Sequence, residues 1–371
     1  MTASPSLRRE YESALERHGY SADPAQLHAV ARLDDLARRL RAAQASEPPG
    51  VLGRLLQRLR GQPAPLHGER GLYLWGGVGR GKTFLMDLFH MHVGVPARRE
   101  HFHRFMKDVH ARLRDIRDVP EPLDQVASDM ARDIRVLCLD ELFVSDIADA
   151  MLLAGLFTGL VERGITLVFT ANAPPAALYR DGLQRQRFLP AIALIERQAE
   201  VVNVDAGNDY RLRQLERAPL YLDARLPETP GRLADRFAGL CDAAATGPGT
   251  LEIEGRRIPY VAATDEVVWF DFAAICDGPR SQADYVEIAR DYHTVVVDGV
   301  PRFDATQENQ ARRFIALVDE FYDRGVKLAL AAHAPVDELY AGERLRFEFE
   351  RTRSRLAEMQ THEYLARPHK P

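Results

Sequence analysis

Apolar positions in the first 68 residues recur at helical spacing. Leu7–His18 reads as one helix. From Pro24 to Ala43 the residues Leu27, Val30, Leu33, Leu36 and Leu40 share one face, which predicts a longer second helix with that face packed against something. Prolines and glycines in 47–50 and 61–67 bracket a basic segment, LGRLLQRLRG, whose arginines suit either a solvated helix face or a phosphate polymer. From Gly71 short apolar runs alternate with helical periods. Strands are predicted at Leu72–Trp75, His101–Phe105, Val136–Leu139, Thr166–Thr170 and Val201–Val204. Helices are predicted at 83–91, 106–117, 147–163 and 187–197. Such alternation points to an α/β fold in which a parallel sheet is flanked by helices. Near residue 210 the pattern shifts again, to a helix over 232–244, a Gly-Pro-Gly break at 247–249 and the strand-like runs TLEIEGRRIPYV and VVWFDF. The expected division is an N-terminal helical segment (1–68), a core (69–210) and a C-terminal α/β domain (211–371).

The chain also echoes itself. VLCLD followed by RGITLVFTANAPPAALY in the core is matched by TVVVD followed by RGVKLALAAHAPVDELY near the C-terminus, with Gly164 and Gly325 the same distance ahead of Tyr179 and Tyr340. In the second copy Gly299 stands for Glu141, His333 stands for Asn172, and no G-K-T precedes it. The C-terminal domain is therefore expected to be a degenerate, nucleotide-free repeat of the core, with coincidence of two strand-helix units as the alternative.

The chemistry concentrates where the first core strand ends. Gly76, Gly77, Val78, Gly79, Arg80, Gly81, Lys82 and Thr83 spell G-G-V-G-R-G-K-T, filling G-x-x-x-x-G-K-[ST] between a predicted strand and a predicted helix. Glycines there let consecutive N–H groups and a helix N-terminus approach a polyphosphate. Lys82 supplies a mobile charge for the β and γ phosphates, and the Thr83 hydroxyl is placed to ligate Mg2+. The plainer reading is a glycine-rich turn with a chance lysine. Val136–Leu139 runs into Asp140 and Glu141 at the strand's C-terminal edge, where ligands bind in open α/β sheets. Asp140 can hold the metal through water and Glu141 can act as general base toward the attacking water. A surface Asp-Glu pair is common in itself; a complete phosphate loop upstream, with one intervening strand, gives it meaning. Asn172, after the fourth strand, is a candidate to orient that water, or else a turn former ahead of Pro174 and Pro175. Arg185 and Arg187 are candidates for an arginine reaching a neighbouring subunit's γ-phosphate, with Arg185 preferred.

Composition narrows the setting. In 371 residues the hydrophobic share is 46% and the charged share 28%, as in a globular protein. A net charge of −5 gives no chain-wide basic field to hold nucleic acid, so nucleic acid is not an expected partner. Three widely spaced cysteines with no C-x-x-C suit reduced thiols and exclude a readable zinc site or disulfide frame. Neither a signal-like N-terminus nor a membrane-length apolar run is present, so a cytoplasmic location is expected.

Taken together, GLYLWGGVGRGKTFLMDLFH, HFHRFM, VLCLDELFVSDIADAMLL, GITLVFTANAPPAALYRDGLQRQRFLPAI and NVDAGNDYRLR resemble the ZapE cell-division ATPase family, related to mitochondrial AAA+ ATPases. ARRFIALVDEFYD and FERTRSRLAEMQTHEY extend the likeness over most of the chain beyond about residue 20. The resemblance implies an AAA+ type P-loop ATPase core using ATP and Mg2+, with Lys82 and Thr83 at the phosphates, Asp140 and Glu141 as the Walker B pair, Asn172 as sensor 1 and Arg185 as the finger. It implies a bacterial protein acting on the tubulin-like division polymer, while mitochondrial members are linked to protein quality control. A homo-oligomer when ATP is bound follows from the finger. For sensor 2, Arg355 is the first choice, with Arg351 and Arg353 close by. No aromatic-glycine pore loop is visible, which argues against threading a polypeptide.

The reading is thus ATP hydrolysis coupled to remodelling of a protein partner. The alternatives are a nucleic-acid-linked loader of helicase-loader type, against which the acidic pI of 6.2 argues, and a small-molecule kinase, which product analysis would reveal.

Overall fold

The computed structural model describes residues 6–18, 22–46, 68–77, 79–116, 119–205, 219–241, 245–253 and 255–370. The basic segment LGRLLQRLRG, the change of character near residue 210 and residues 242–244 of the expected helix lie outside these. By its internal contacts the chain forms two compact units, Met1–Asn208 and Asp209–Pro371.

In the first unit, helices α1 (Leu7–His18) and α2 (Pro24–Ser46) precede a five-stranded sheet. Its strands are β1 (Gly71–Trp75), β2 (Ala97–His101), β3 (Val136–Asp140), β4 (Thr166–Ala171) and β5 (Ala199–Asn203), in the order β2-β3-β4-β1-β5. Every pairing is parallel. Buried on both faces, β1, β3 and β4 read as continuous apolar runs rather than alternating ones. Their side chains divide between two cores. Tyr73, Leu137, Leu139, Leu167 and Phe169 pack with helices α4 (Phe102–Asp115), α5 (Pro122–Asp133), α6 (Ile147–Glu162) and α7 (Leu189–Gln198). Leu72, Leu74, Val136, Cys138 and Val168 pack with α1, α2 and helix α3 (Lys82–His92). Leu33, Leu36 and Leu40 of α2 lie in this second core, so the predicted apolar face rests on the sheet.

One predicted strand is misplaced. His101–Phe105 is not extended: β2 ends at His101 and α4 starts at Phe102. The buried residues Phe102, Phe105, Met106 and Val109 fall at helical spacing, and that period overrides the apolar look of HFHRF. The true strand, ARREH, is polar and half-exposed because it is the sheet's edge. The sequence reading also missed α5 altogether, and Arg187, expected to open the last helix of the core, ends a 3-10 turn (Arg185–Arg187) ahead of α7.

The second unit has a five-stranded sheet built on β6 (Tyr221–Asp223), β9 (Ala262–Ala263), β10 (Val267–Asp271), β11 (Thr294–Val300) and β12 (Lys327–Ala332), ordered β6-β12-β11-β10-β9. The antiparallel pair β7 (Gly249–Ile253) and β8 (Arg256–Tyr260) stands apart from it. Strands β6, β12, β11 and β10 are mutually parallel, so their order repeats β1-β4-β3-β2 of the first unit. Helix Ile147–Glu162 and strand β4 recur 161 positions later as Glu308–Asp323 and β12. Fine detail recurs too. Gly164 and Gly325 both end their helices at positive φ, and Glu141 just past β3 and Gly299 near the end of β11 both sit at positive φ. The Tyr73 hydroxyl donates to the Ala173 carbonyl at 2.8 Å, as the Tyr221 hydroxyl does to Ala334 at 2.6 Å. Tyr179–Phe188 and Tyr340–Phe349 are ring pairs with centroids 5.7 and 5.0 Å apart. The second unit thus repeats the strand order and these local details of the core, and its sequence carries no G-K-T. At the end of β6, Asp223 pairs with Arg225, which draws its carboxyl down to about 2. At the strand edge equivalent to Asp140, burial and then the nearby Asp271 push the Asp298 carboxyl up.

Candidate functional site

The site forms where strand order reverses. β1 runs into the glycine loop and β3 into the acid pair, and β4 lies between them. Gly79 and Gly81 sit at φ 73° and 74°, a region costly for any residue with a Cβ. Gly81 is also the N-cap of α3, with no side-chain cap, so the helix's first N–H groups remain for a ligand. Gly76 donates its N–H to the Ala171 carbonyl at 3.3 Å, tying the loop to the end of β4. Val78 lies outside the described residues.

Lys82 is 8% exposed and folds back over the loop, its Nζ donating to the Gly76 and Gly77 carbonyls at 2.9 and 2.7 Å. This places an ammonium inside the cradle. The Arg80 guanidinium lies beside Gly77, 2.8 Å from Asp205 just past β5.

The Thr83 hydroxyl donates to Asp140 Oδ1 at 3.4 Å, so the two motifs meet across the strand between them. Asp140 is 0% exposed. Its Oδ1 also accepts from the Thr170 hydroxyl and the Glu141 N–H, and its Oδ2 accepts from Arg99 at 2.8 Å. Arg99, itself 6% exposed, reaches Asp87 of α3 at 2.9 Å with Nε. Thr83 and Asp140 supply only oxygen donors, the set a hard divalent cation such as Mg2+ accepts, with the phosphates and water filling the remainder. They fit the ion. No group of three or more His, Cys, Asp or Glu side chains placed to hold a metal exists among the described residues.

Glu141 follows β3 at φ 52°, and its N–H is held by Thr170 Oγ1 at 2.9 Å. This turn leaves a part-exposed carboxylate at the end of the strand. His101, at the end of β2 and opposite Asp140 in register, has Nδ1 3.9 Å from Glu141 Oε2. Asn172 is exposed at the end of β4, between the two motifs. Arg185 donates to its own chain's Ala176 carbonyl at 2.7 Å, and Arg187 is exposed. Arg355 belongs to the second unit, where it pairs with Asp319 at 2.7 Å and stacks on Tyr322. Arg351 pairs with Asp319 too, and Arg353 pairs with Glu350.

Burial pushes the Cys138 thiol up, away from the reactive thiolate form. Arg99, Asp87, Thr170 and His101 were not picked out from the sequence.

The family model described as AFG1-like ATPase matches residues 5–368. The chain is 45% identical to Cell division protein ZapE of Escherichia coli (strain K12), over 97% of each chain. To Lactation elevated protein 1 homolog B of Danio rerio it is 35% identical, over 80% of this chain and 69% of that one. Among solved structures, the DnaC helicase loader aligns with a TM-score of 0.33 at 15% identity, over 50% of this chain and 92% of that one.

Proposed function

This chain belongs to the AFG1-like ATPase family, and from that premise we propose that it spends ATP, with Mg2+, to remodel a protein partner, the tubulin-like polymer of the bacterial division ring. The contact between Thr83 and Asp140 carries the catalytic half of the reading, since one metal ion could touch both motifs. The likeness to a protein named for cell division supports the partner half.

The N–H groups of 79–83 and the Lys82 ammonium hold the β and γ phosphates. Glu141 takes the proton of the attacking water, and Asn172 orients that water. Bound Mg2+ would neutralise charge on the β and γ oxygens. Asp140 keeps its place through Thr170 and Arg99. No helix among the described residues is long and apolar enough to cross a membrane, and the likeness to a cell-division protein supports a cytoplasmic setting.

The test is sedimentation of the purified division polymer with the protein. The polymer's mass or bundling should change with ATP, and should not change with a non-hydrolysable analogue or with Glu141→Gln. An unchanged polymer under all conditions removes the partner. Appearance of a phosphorylated acceptor in place of free phosphate would make the protein a kinase.

Oligomer formation with ATP is part of the same proposal, with Arg185 serving a neighbouring site. Arg185→Ala and Glu141→Gln should each be nearly inactive alone, since such a finger is worth about 10³ to 10⁵ in turnover. Mixed, they should regain activity, because a Glu141→Gln subunit lends its arginine to an Arg185→Ala subunit with an intact base. No recovery on mixing would show that Arg185 does not act between chains.

A further inference from the structure

The phosphate loop is held from outside by a buried polar chain. Gln26, in the first turn of α2 and 3% exposed, donates from Nε2 to the Arg80 carbonyl at 2.8 Å. Its Oε1 accepts from the Tyr11 hydroxyl at 2.6 Å. Tyr11 is fully buried on α1, where it packs against Phe84 of α3. Its oxygen also receives the Asp23 N–H at 3.5 Å, while Asp23 Oδ1 accepts from Ala25 and Gln26 at 2.8 and 3.4 Å and so caps α2. Since the Arg80 carbonyl can only accept, the amide's orientation is fixed at both ends.

The consequence follows from peptide geometry. The Arg80–Gly81 peptide is trans and planar, so its C=O and N–H point in opposite directions. Drawing the Arg80 carbonyl outward to α2 turns the Gly81 N–H toward the inside of the loop, where the phosphates bind. Gly81 is constrained by the same contact: a Cβ there would lie 2.8 Å from Gln26 Nε2. We propose that Gln26, braced by Tyr11, is a positioning residue for nucleotide binding that presets the Gly81 N–H toward the phosphates and makes the N-terminal helices part of the ATP site. The inference rests on the reading of 76–83 as the phosphate loop.

The test compares full-length Gln26→Leu, Gln26→Glu and Tyr11→Phe with wild type, measuring Tm without nucleotide, the Kd for a fluorescent ATP analogue with Mg2+, and the KM and kcat for ATP. Gln26→Leu should raise Kd and KM about tenfold, the worth of one buried hydrogen bond, while kcat falls far less. Gln26→Glu should be worse at neutral pH, because a carboxylate repels the Arg80 carbonyl, and its Kd relative to wild type should recover as pH falls and the acid again donates. Tyr11→Phe keeps the ring in the core and should give a smaller rise in Kd, so it carries the test if Gln26 variants fold poorly. Wild-type Kd in Tyr11→Phe and in every folded Gln26 variant, with only Tm lowered, would overturn the proposal. Lys82→Ala separates the failures: if it binds ATP normally the loop reading itself is wrong, whereas loss of binding there with unaltered Gln26 and Tyr11 variants removes this inference alone.

Discussion

Lys82→Ala should abolish ATP turnover, by about 10² to 10³-fold or more, and weaken ATP binding at the same time. The expectation rests on placement. The ammonium sits inside the cradle on two loop carbonyls, held at 2.7 and 2.9 Å. In that part-buried position its charge is screened less than at an exposed surface, and a preset donor costs no rearrangement when charge develops on the phosphate. No other described cation can take over within the loop, since Arg80 is committed to Asp205. Phosphate release at saturating Mg-ATP, with nucleotide binding measured in parallel, checks it. Turnover within a few fold of wild type would show that the loop does not hold the phosphates.

The second large effect is on the fold beneath the site. Arg99→Ala should destabilise the first unit by about 3–5 kcal/mol, the cost of removing one partner from a buried ion pair. Asp140 would keep its hydroxyl and N–H donors but lose the guanidinium paired with its Oδ2, and Asp87 would lose a partner at 2.9 Å. Adding Asp140→Asn to Arg99→Ala should recover part of the loss, because the unpaired buried charge is then gone. Denaturant unfolding of the single and double variants decides it. Equal stability of Arg99→Ala and wild type would mean that the pair is not closed in solution.

What the sequence disclosed and what it hid divide along a physical line. The loop from Gly76 to Thr83 was legible because its demands are local: positive φ, a missing Cβ, a helix start. The acid pair was legible because an apolar run ending in two carboxylates marks the edge of a buried parallel strand. β2 was misplaced because an edge strand carries no apolar run, while the helix after it does. Arg99 and Gln26 were invisible for another reason. Each acts across the fold on a residue 41 or 54 positions away, and one arginine among the polar residues of ARREH looks like the next. The repeat was half-visible: the glycine and tyrosine spacing survived, but the match of β6 to β1 rests on strand order and the Tyr73 and Tyr221 hydrogen bonds, which only the structure supplies.

The central claim is that a triphosphate and its metal are gripped between the glycine loop and the acids at the end of β3, with Glu141 activating the water. The most direct measurement is the fate of ATP on Glu141→Gln in Mg2+. The substitution keeps the size of the side chain and removes the base, so the variant should retain uncleaved ATP through gel filtration while phosphate release falls by about 10² to 10⁴-fold. Phosphate release at the wild-type rate from that variant would contradict the account.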